Sequence, residues 1–119
     1  MKSVDPYYKR RYHVRDYNCV HLVCEVWKDY TGEDISDRLG GALTNRANRT
    51  MKDIHLRRFR RITELVDPCI VLAFAARSAP HMGIHLRGRI LHIGPVGVRF
   101  ELPEVALFGY TTRKFYVCR

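Results

Sequence analysis

Hydrophobic positions change their spacing about halfway along this chain. In the first half, Cys19, Leu22, Val23, Val26, Trp27 and Tyr30 recur at intervals of three and four residues, one apolar stripe of an amphipathic helix. Asn18 stands just before the stripe as a favoured N-cap, and Gly32 just after it as a C-terminal stop. Residues 1–17 carry Pro6, Tyr7, Tyr8, Tyr12 and Tyr17 without helical period and read as an extended lead-in. Residues 33–47 contain Gly40-Gly41 and read as a short helix and loop. From Arg49 to Ile62, Met51, Ile54, Leu56, Phe59 and Ile62 predict a second, strongly basic helix.

In the second half the period shortens. Cys69-Ile70-Val71-Leu72-Ala73-Phe74 has the composition of a buried strand. Met82, Ile84 and Leu86 alternate with His81, Gly83 and His85, which predicts a strand with two unlike faces. Arg87-Gly88-Arg89 turns the chain, Ile90 to Ile93 return it, and Gly94-Pro95 breaks it again. Val96, Val98 and Phe100 then make a strand, and Phe115-Tyr116-Val117 another. Helices followed by strands predict an α+β domain with a mainly antiparallel sheet.

At 119 residues, with 46% of them hydrophobic, the chain suits one domain, 1–119, with a real core. The longest apolar run, Cys69 to Ala76, falls far short of a bilayer span. The start of the chain is polar and basic and lacks the apolar stretch of a secretory signal. The expectation is a protein made in a cytoplasm, without membrane insertion, that leaves only if something else carries it. The net charge of +9 favours anionic partners. It is concentrated in Lys9-Arg10-Arg11 with Arg15, and in Arg46, Arg49, Lys52, Arg57, Arg58, Arg60 and Arg61. No nucleic-acid-binding signature accompanies the charge, so nucleic acid is not the expected partner.

The four cysteines, Cys19, Cys24, Cys69 and Cys118, show no C-x-x-C spacing. No metal site and no cofactor is expected. Cys19 differs from the rest because it opens a helix, where unpaired N–H groups and the macrodipole favour a thiolate. An imidazole that takes the thiol proton would complete a nucleophile. His81 opens the strand 81–86 on the face opposite Met82, Ile84 and Leu86. If Arg87-Gly88 form a two-residue turn, His92 stands opposite Gly83, diagonal to His81 and on the same face. Gly83 then leaves space for a substrate carbonyl. A cysteine on an apolar stripe is also what a packed core residue looks like, and two histidines on a hairpin also suit a solvated surface.

The order of these motifs resembles the NlpC-type cell-wall cysteine peptidases, in particular the compact versions of phage tails. Pro6-Tyr7 leads to Tyr17-Asn18-Cys19-Val20-His21-Leu22-Val23, similar to the family's Tyr/Phe-Asp-Cys-Ser-Gly-Leu-Val. Pro68-Cys69-Ile70-Val71 is loosely similar to its Pro-Gly-Asp-Leu-Val start of a strand. His81-Met82-Gly83-Ile84-His85-Leu86-Arg87-Gly88 is similar to its His-Val-Gly-Ile-Tyr-Leu-Gly strand, and a further histidine, His92, follows. The resemblance implies a papain-like α+β fold, with N-terminal helices, one of them bearing Cys19, packed on a mainly antiparallel sheet. It implies Cys19 as nucleophile, His81 as base and His92 as its orienting partner. Tyr7, Asn18, Val20 and Gly83 would contact substrate, the stem peptide of peptidoglycan, and the protein would sit in a virion among other phage tail proteins. Asn18 replaces the family aspartate, Val20-His21 replace Ser-Gly, and Lys9-Arg10-Arg11 replace a glycine pair. These departures leave a second expectation open, a structural tail-tip or assembly component with a degenerate, inactive peptidase fold.

Overall fold

A computed structural model describes residues 3–43, 59–76 and 80–118. The predicted helix is α1, Cys19–Thr31. Its start is closed by a reciprocal cap. Asn18 Oδ1 accepts from the N–H groups of Val20 (2.9 Å) and His21 (3.3 Å), while His21 Nδ1 accepts from the Asn18 N–H at 3.1 Å. An imidazole thus does what glutamate usually does at that position. At the other end Gly32, with φ +80°, donates its N–H to the Lys28 carbonyl at 2.8 Å.

Among the described residues six strands follow: β1 (Phe59–Ile62), β2 (Cys69–Phe74), β3 (His81–Leu86), β4 (Arg89–Gly94), β5 (Gly97–Glu101) and β6 (Thr112–Cys118). They form one sheet in the order β1-β6-β2-β3-β4-β5, every neighbouring pair antiparallel. The architecture is α+β, an antiparallel sheet with few helices. One face takes α1, which lies across β3 and β4. Leu22, Val23, Val26 and Trp27 meet Ile70, Leu72, Met82, Ile84, Leu86, Leu91 and Ile93 there. Burying a side chain of this size contributes about 1.5–3 kcal/mol. The opposite face holds a smaller cluster of Cys69, Val71, Ala73 and Ile90, covered by Ala106 and Leu107 from the short helix α2 (Pro103–Ala106) and the residue after it.

The β3–β4 connection is the two-residue turn expected from Arg87-Gly88, with both residues at positive φ (+49° and +81°). Arg87 holds that conformation with its N–H on Asp67 Oδ2 at 2.9 Å. The turn sets the register Ile84↔Leu91, His85↔Ile90 and Leu86↔Arg89, so His92 faces Gly83 one step further on.

Three expectations need correction. The lead-in is not extended throughout: Asp5–Lys9 is a 3₁₀ helix, with Pro6 in its first turn, where the missing N–H costs nothing. Arg10 then makes a two-pronged ion pair with Glu25, and the Tyr17 hydroxyl donates to the same carboxylate, so the lead-in is strapped to α1. The basic helix does not reach Ile62, because Phe59–Ile62 is the strand β1, paired with β6. Its remaining residues, 49–58, lie outside the described residues. Val96 is not in a strand but in the turn before β5, where it is 78% exposed. In the 33–47 segment the expected short helix is present as a 3₁₀ helix, Ser36–Leu43, as far as the segment is described.

Candidate active site

Cys19 occupies the first position of α1, fixed there by the Asn18 cap one residue earlier. Cys19 is 6% exposed, its thiol packed against the beginning of β3. Burial pushes its pKa up, against a weaker pull from the N–H groups of Met82, Cys19 and Val20 that donate toward the sulfur. The expected depression at a helix N-terminus is therefore outweighed: desolvation of a nearly enclosed sulfur exceeds what three backbone dipoles return.

His81 is the first residue of β3, paired with Ala73 of β2. Its Nε2 lies 2.9 Å from Nδ1 of His92 on β4, with the ring planes at 72°. His92 Nε2 in turn lies 2.8 Å from Oε1 of Glu101 on β5. Arg99 Nη1 stands 3.7 Å from the other Glu101 oxygen. The row runs across three adjacent strands and arises from registry. His92 pairs with Arg99, so Glu101 is its diagonal neighbour on the same face, as His81 is on the other side. Tyr110, from the loop after α2, lies flat on His81. Burial, and then the neighbouring His92, push the His81 pKa down to about 4. At neutral pH the site thus holds a neutral thiol and a neutral imidazole.

Two hollows meet at His81. The smaller, about 170 Å³, is lined by Cys19 and His81 together, with Tyr12, Pro80, Pro95 and Tyr110 among its walls. The larger, about 380 Å³, shares His81, Gly94, Pro95 and Tyr110 and runs past His92, Glu101 and Arg99 to Val96 and Val105. A substrate strand lying through both would cross His81 at their junction.

The structure brings Cys19 and His81 to one cavity and joins His81 to His92 by a hydrogen bond. It does not bring the four expected substrate contacts there. Tyr7 is 4% exposed and donates to Asp29 Oδ2 at 2.5 Å. Asp29 is ten residues along α1 from Cys19, about 15 Å at the helical rise. Asn18 is wholly buried as the cap, its Nδ2 donating to the Val14 carbonyl at 3.1 Å. Val20 has no exposed surface. The space beside Gly83 is filled: a Cβ there would stand 2.8 Å from Ile90 Cγ2 and 3.3 Å from His92 Cβ.

Three residues of the site were not foreseen, Tyr12, Glu101 and Tyr110. For Glu101 a signal existed, because alternation along 97–101 puts Arg99 and Glu101 on the His92 face once the Pro95-Val96 turn is recognised. Tyr12 and Tyr110 lie in segments without periodicity and carried none.

Among the described residues, no group of three or more histidine, cysteine, aspartate or glutamate side chains is arranged to hold a metal ion. Among them, too, no helix is long and apolar enough to cross a membrane. No protein-family model, curated protein or solved structure matches the chain.

Proposed function

We propose that this chain is a papain-like cysteine hydrolase of the NlpC type that cleaves amide bonds in the stem peptides of peptidoglycan and serves a phage tail in crossing the cell wall. The observation that carries the reading is the shared cavity of Cys19 and His81, with His81 backed by His92 and Glu101. The His81-Met82-Gly83-Ile84-His85-Leu86 strand and the Cys19 helix supply the family resemblance.

In this mechanism the Cys19 thiol gives its proton to His81 as sulfur attacks the substrate carbonyl carbon. The oxyanion forms beside the start of α1, where the Cys19 N–H is already directed at the sulfur. The His81 imidazolium returns the proton to the leaving amine, and water, deprotonated by His81, hydrolyses the thioester. Approach of substrate must open the Cys19 cavity, since the resting thiol is nearly enclosed. The net charge of +9 would hold the protein to anionic cell wall or to acidic tail proteins.

The enclosure of Cys19 favours a second reading, a tail-tip or assembly component that keeps the fold without turnover. Burial holds the thiol up and the imidazole down, which disfavours a resting thiolate–imidazolium pair. Site-resolved mass spectrometry of iodoacetamide labelling against pH, in wild type and His81→Ala, separates the two. Fast Cys19 labelling at neutral pH that slows without His81, together with release of peptides from purified sacculi that stops in Cys19→Ala, supports the hydrolase. Labelling of Cys19 no faster than Cys24, Cys69 or Cys118, with no release of peptides, supports the structural component.

A further inference from the structure

We propose that Glu101 is a positioning residue that sets, through His92, which nitrogen of His81 is free to take a proton. The inference rests on the hydrolase reading for its purpose but on hydrogen-bond logic for its content.

A carboxylate can only accept, so the 2.8 Å contact between Glu101 Oε1 and His92 Nε2 requires the hydrogen on His92 Nε2. A neutral imidazole has one N–H, which leaves His92 Nδ1 as an acceptor. That atom lies 2.9 Å from His81 Nε2, so the His81 hydrogen belongs on Nε2. The remaining nitrogen of His81, Nδ1, then carries the bare lone pair. It is the only nitrogen of His81 not already engaged with His92, and so the one left for the Cys19 proton. Without Glu101 the acceptor that fixes the hydrogen on His92 Nε2 is gone, and the reverse arrangement is open. His92 would then carry its hydrogen on Nδ1, donate it to His81 Nε2, and force the His81 hydrogen onto Nδ1, where it blocks base function.

The relay is sheltered enough to hold one arrangement: the side chains of His92 and Glu101 are 14% and 22% exposed. Among the described residues, the charged and titratable groups around it include His81 on β3, Cys19 across the shared cavity, Arg99 beside Glu101 on β5, and Tyr110 over His81. Arg99 lies against the oxygen of Glu101 that His92 does not use, and so steadies the carboxylate without competing for the bond. When His81 receives the thiol proton, its Nε2–H still donates to His92, and the positive charge faces the carboxylate at the end of the row.

The test is the tautomeric state of both histidines in the full chain, read by long-range ¹H–¹⁵N correlation at pH 7.5 in wild type, Glu101→Gln and Glu101→Ala. Wild type should show both rings with hydrogen on Nε2. Glu101→Gln, whose amide oxygen still accepts, should keep them so. Glu101→Ala should move a substantial fraction of His81 and His92 to the Nδ1–H form, and where sacculi are cleaved kcat should fall about 10- to 100-fold with KM unchanged. A wild-type His92 with its hydrogen on Nδ1 overturns the proposal, and this arm needs no variant to fold. Unchanged tautomers in a folded Glu101→Ala protein also overturn it. The expected tautomer shift in a protein that neither labels at Cys19 nor cleaves sacculi upholds the relay and removes the hydrolase reading instead.

Discussion

Tyr110 makes an offset stack with His81, ring centroids 5.8 Å apart and planes within 11° of parallel. It is one wall of both hollows that meet at that histidine. The phenol ring therefore covers part of one face of the imidazole and limits its tilt, while His92 holds its in-plane rotation.

Replacing Tyr110 with Ala should open that face to solvent. Burial is the larger cause of the depressed His81 pKa, so the value should climb from about 4 toward the ordinary 6.5. Tyr110→Phe keeps the ring and should leave it in place. A histidine titration by NMR of the two variants decides the point, and an unchanged His81 in Tyr110→Ala would refute it.

Stability should fall as His81 is forced to charge. Its folded pKa, about 4, lies below the 6.5 of the free side chain, so the folded state favours the neutral ring. The contribution is complete above pH 6.5 and is lost as pH drops through 6.5 to 4, at most about 3 kcal/mol. His81→Phe, which preserves a ring against Tyr110, should flatten the urea midpoint between pH 7 and pH 4 relative to wild type. Equal slopes in the two proteins would contradict the assignment, since other titrating groups are common to both.

Gly83→Ala should cost about 1–3 kcal/mol, because the added methyl meets Ile90 Cγ2 at 2.8 Å, the Leu91 carbonyl oxygen at 3.2 Å and His92 Cβ at 3.3 Å. Ile90→Ala removes the nearest of these atoms. The double variant should then be more stable than the sum of the single effects predicts, as measured by urea unfolding. Strict additivity would show that the backbone oxygen and His92, rather than Ile90, set the cost.

Loss of the α1 cap should be felt in stability. Asn18→Ala leaves the N–H groups of Val20 and His21 without their acceptor and should cost about 1–2 kcal/mol. Asn18→Asp keeps the acceptor and should recover most of that in thermal unfolding. Equal losses in both variants would place the role of Asn18 in its Nδ2 bond to Val14 instead.

Much of the fold was legible because it follows from local rules. The stripe Cys19 to Tyr30, bracketed by Asn18 and Gly32, yields α1 with its observed bounds. Alternation over 81–86 and the Arg87-Gly88 turn yield the β3–β4 hairpin and hence His92 opposite Gly83. The 49–62 pattern misled at its end, because Phe59 and Ile62 suit a helical stripe and a strand equally. Pairing with β6, more than fifty residues later, chose the strand. Gly83 misled in another way. A missing side chain signals close approach without saying of what, and the answer was the neighbouring strand's own Ile90 and His92.

What the sequence determined by itself is therefore the placing of Cys19 at a helix start and of His81 and His92 on one hairpin face, since each depends on spacing within a single element or between two joined by a tight turn. Only the tertiary structure decided that Cys19 is buried, that Tyr12 rather than Tyr7 borders it, and that Glu101 and Tyr110 complete the surroundings of His81. Those outcomes depend on how the lead-in, α1, the sheet and the α2 loop share the same space. Desolvation and packing are sums over all of those neighbours, and no periodicity along one segment contains them.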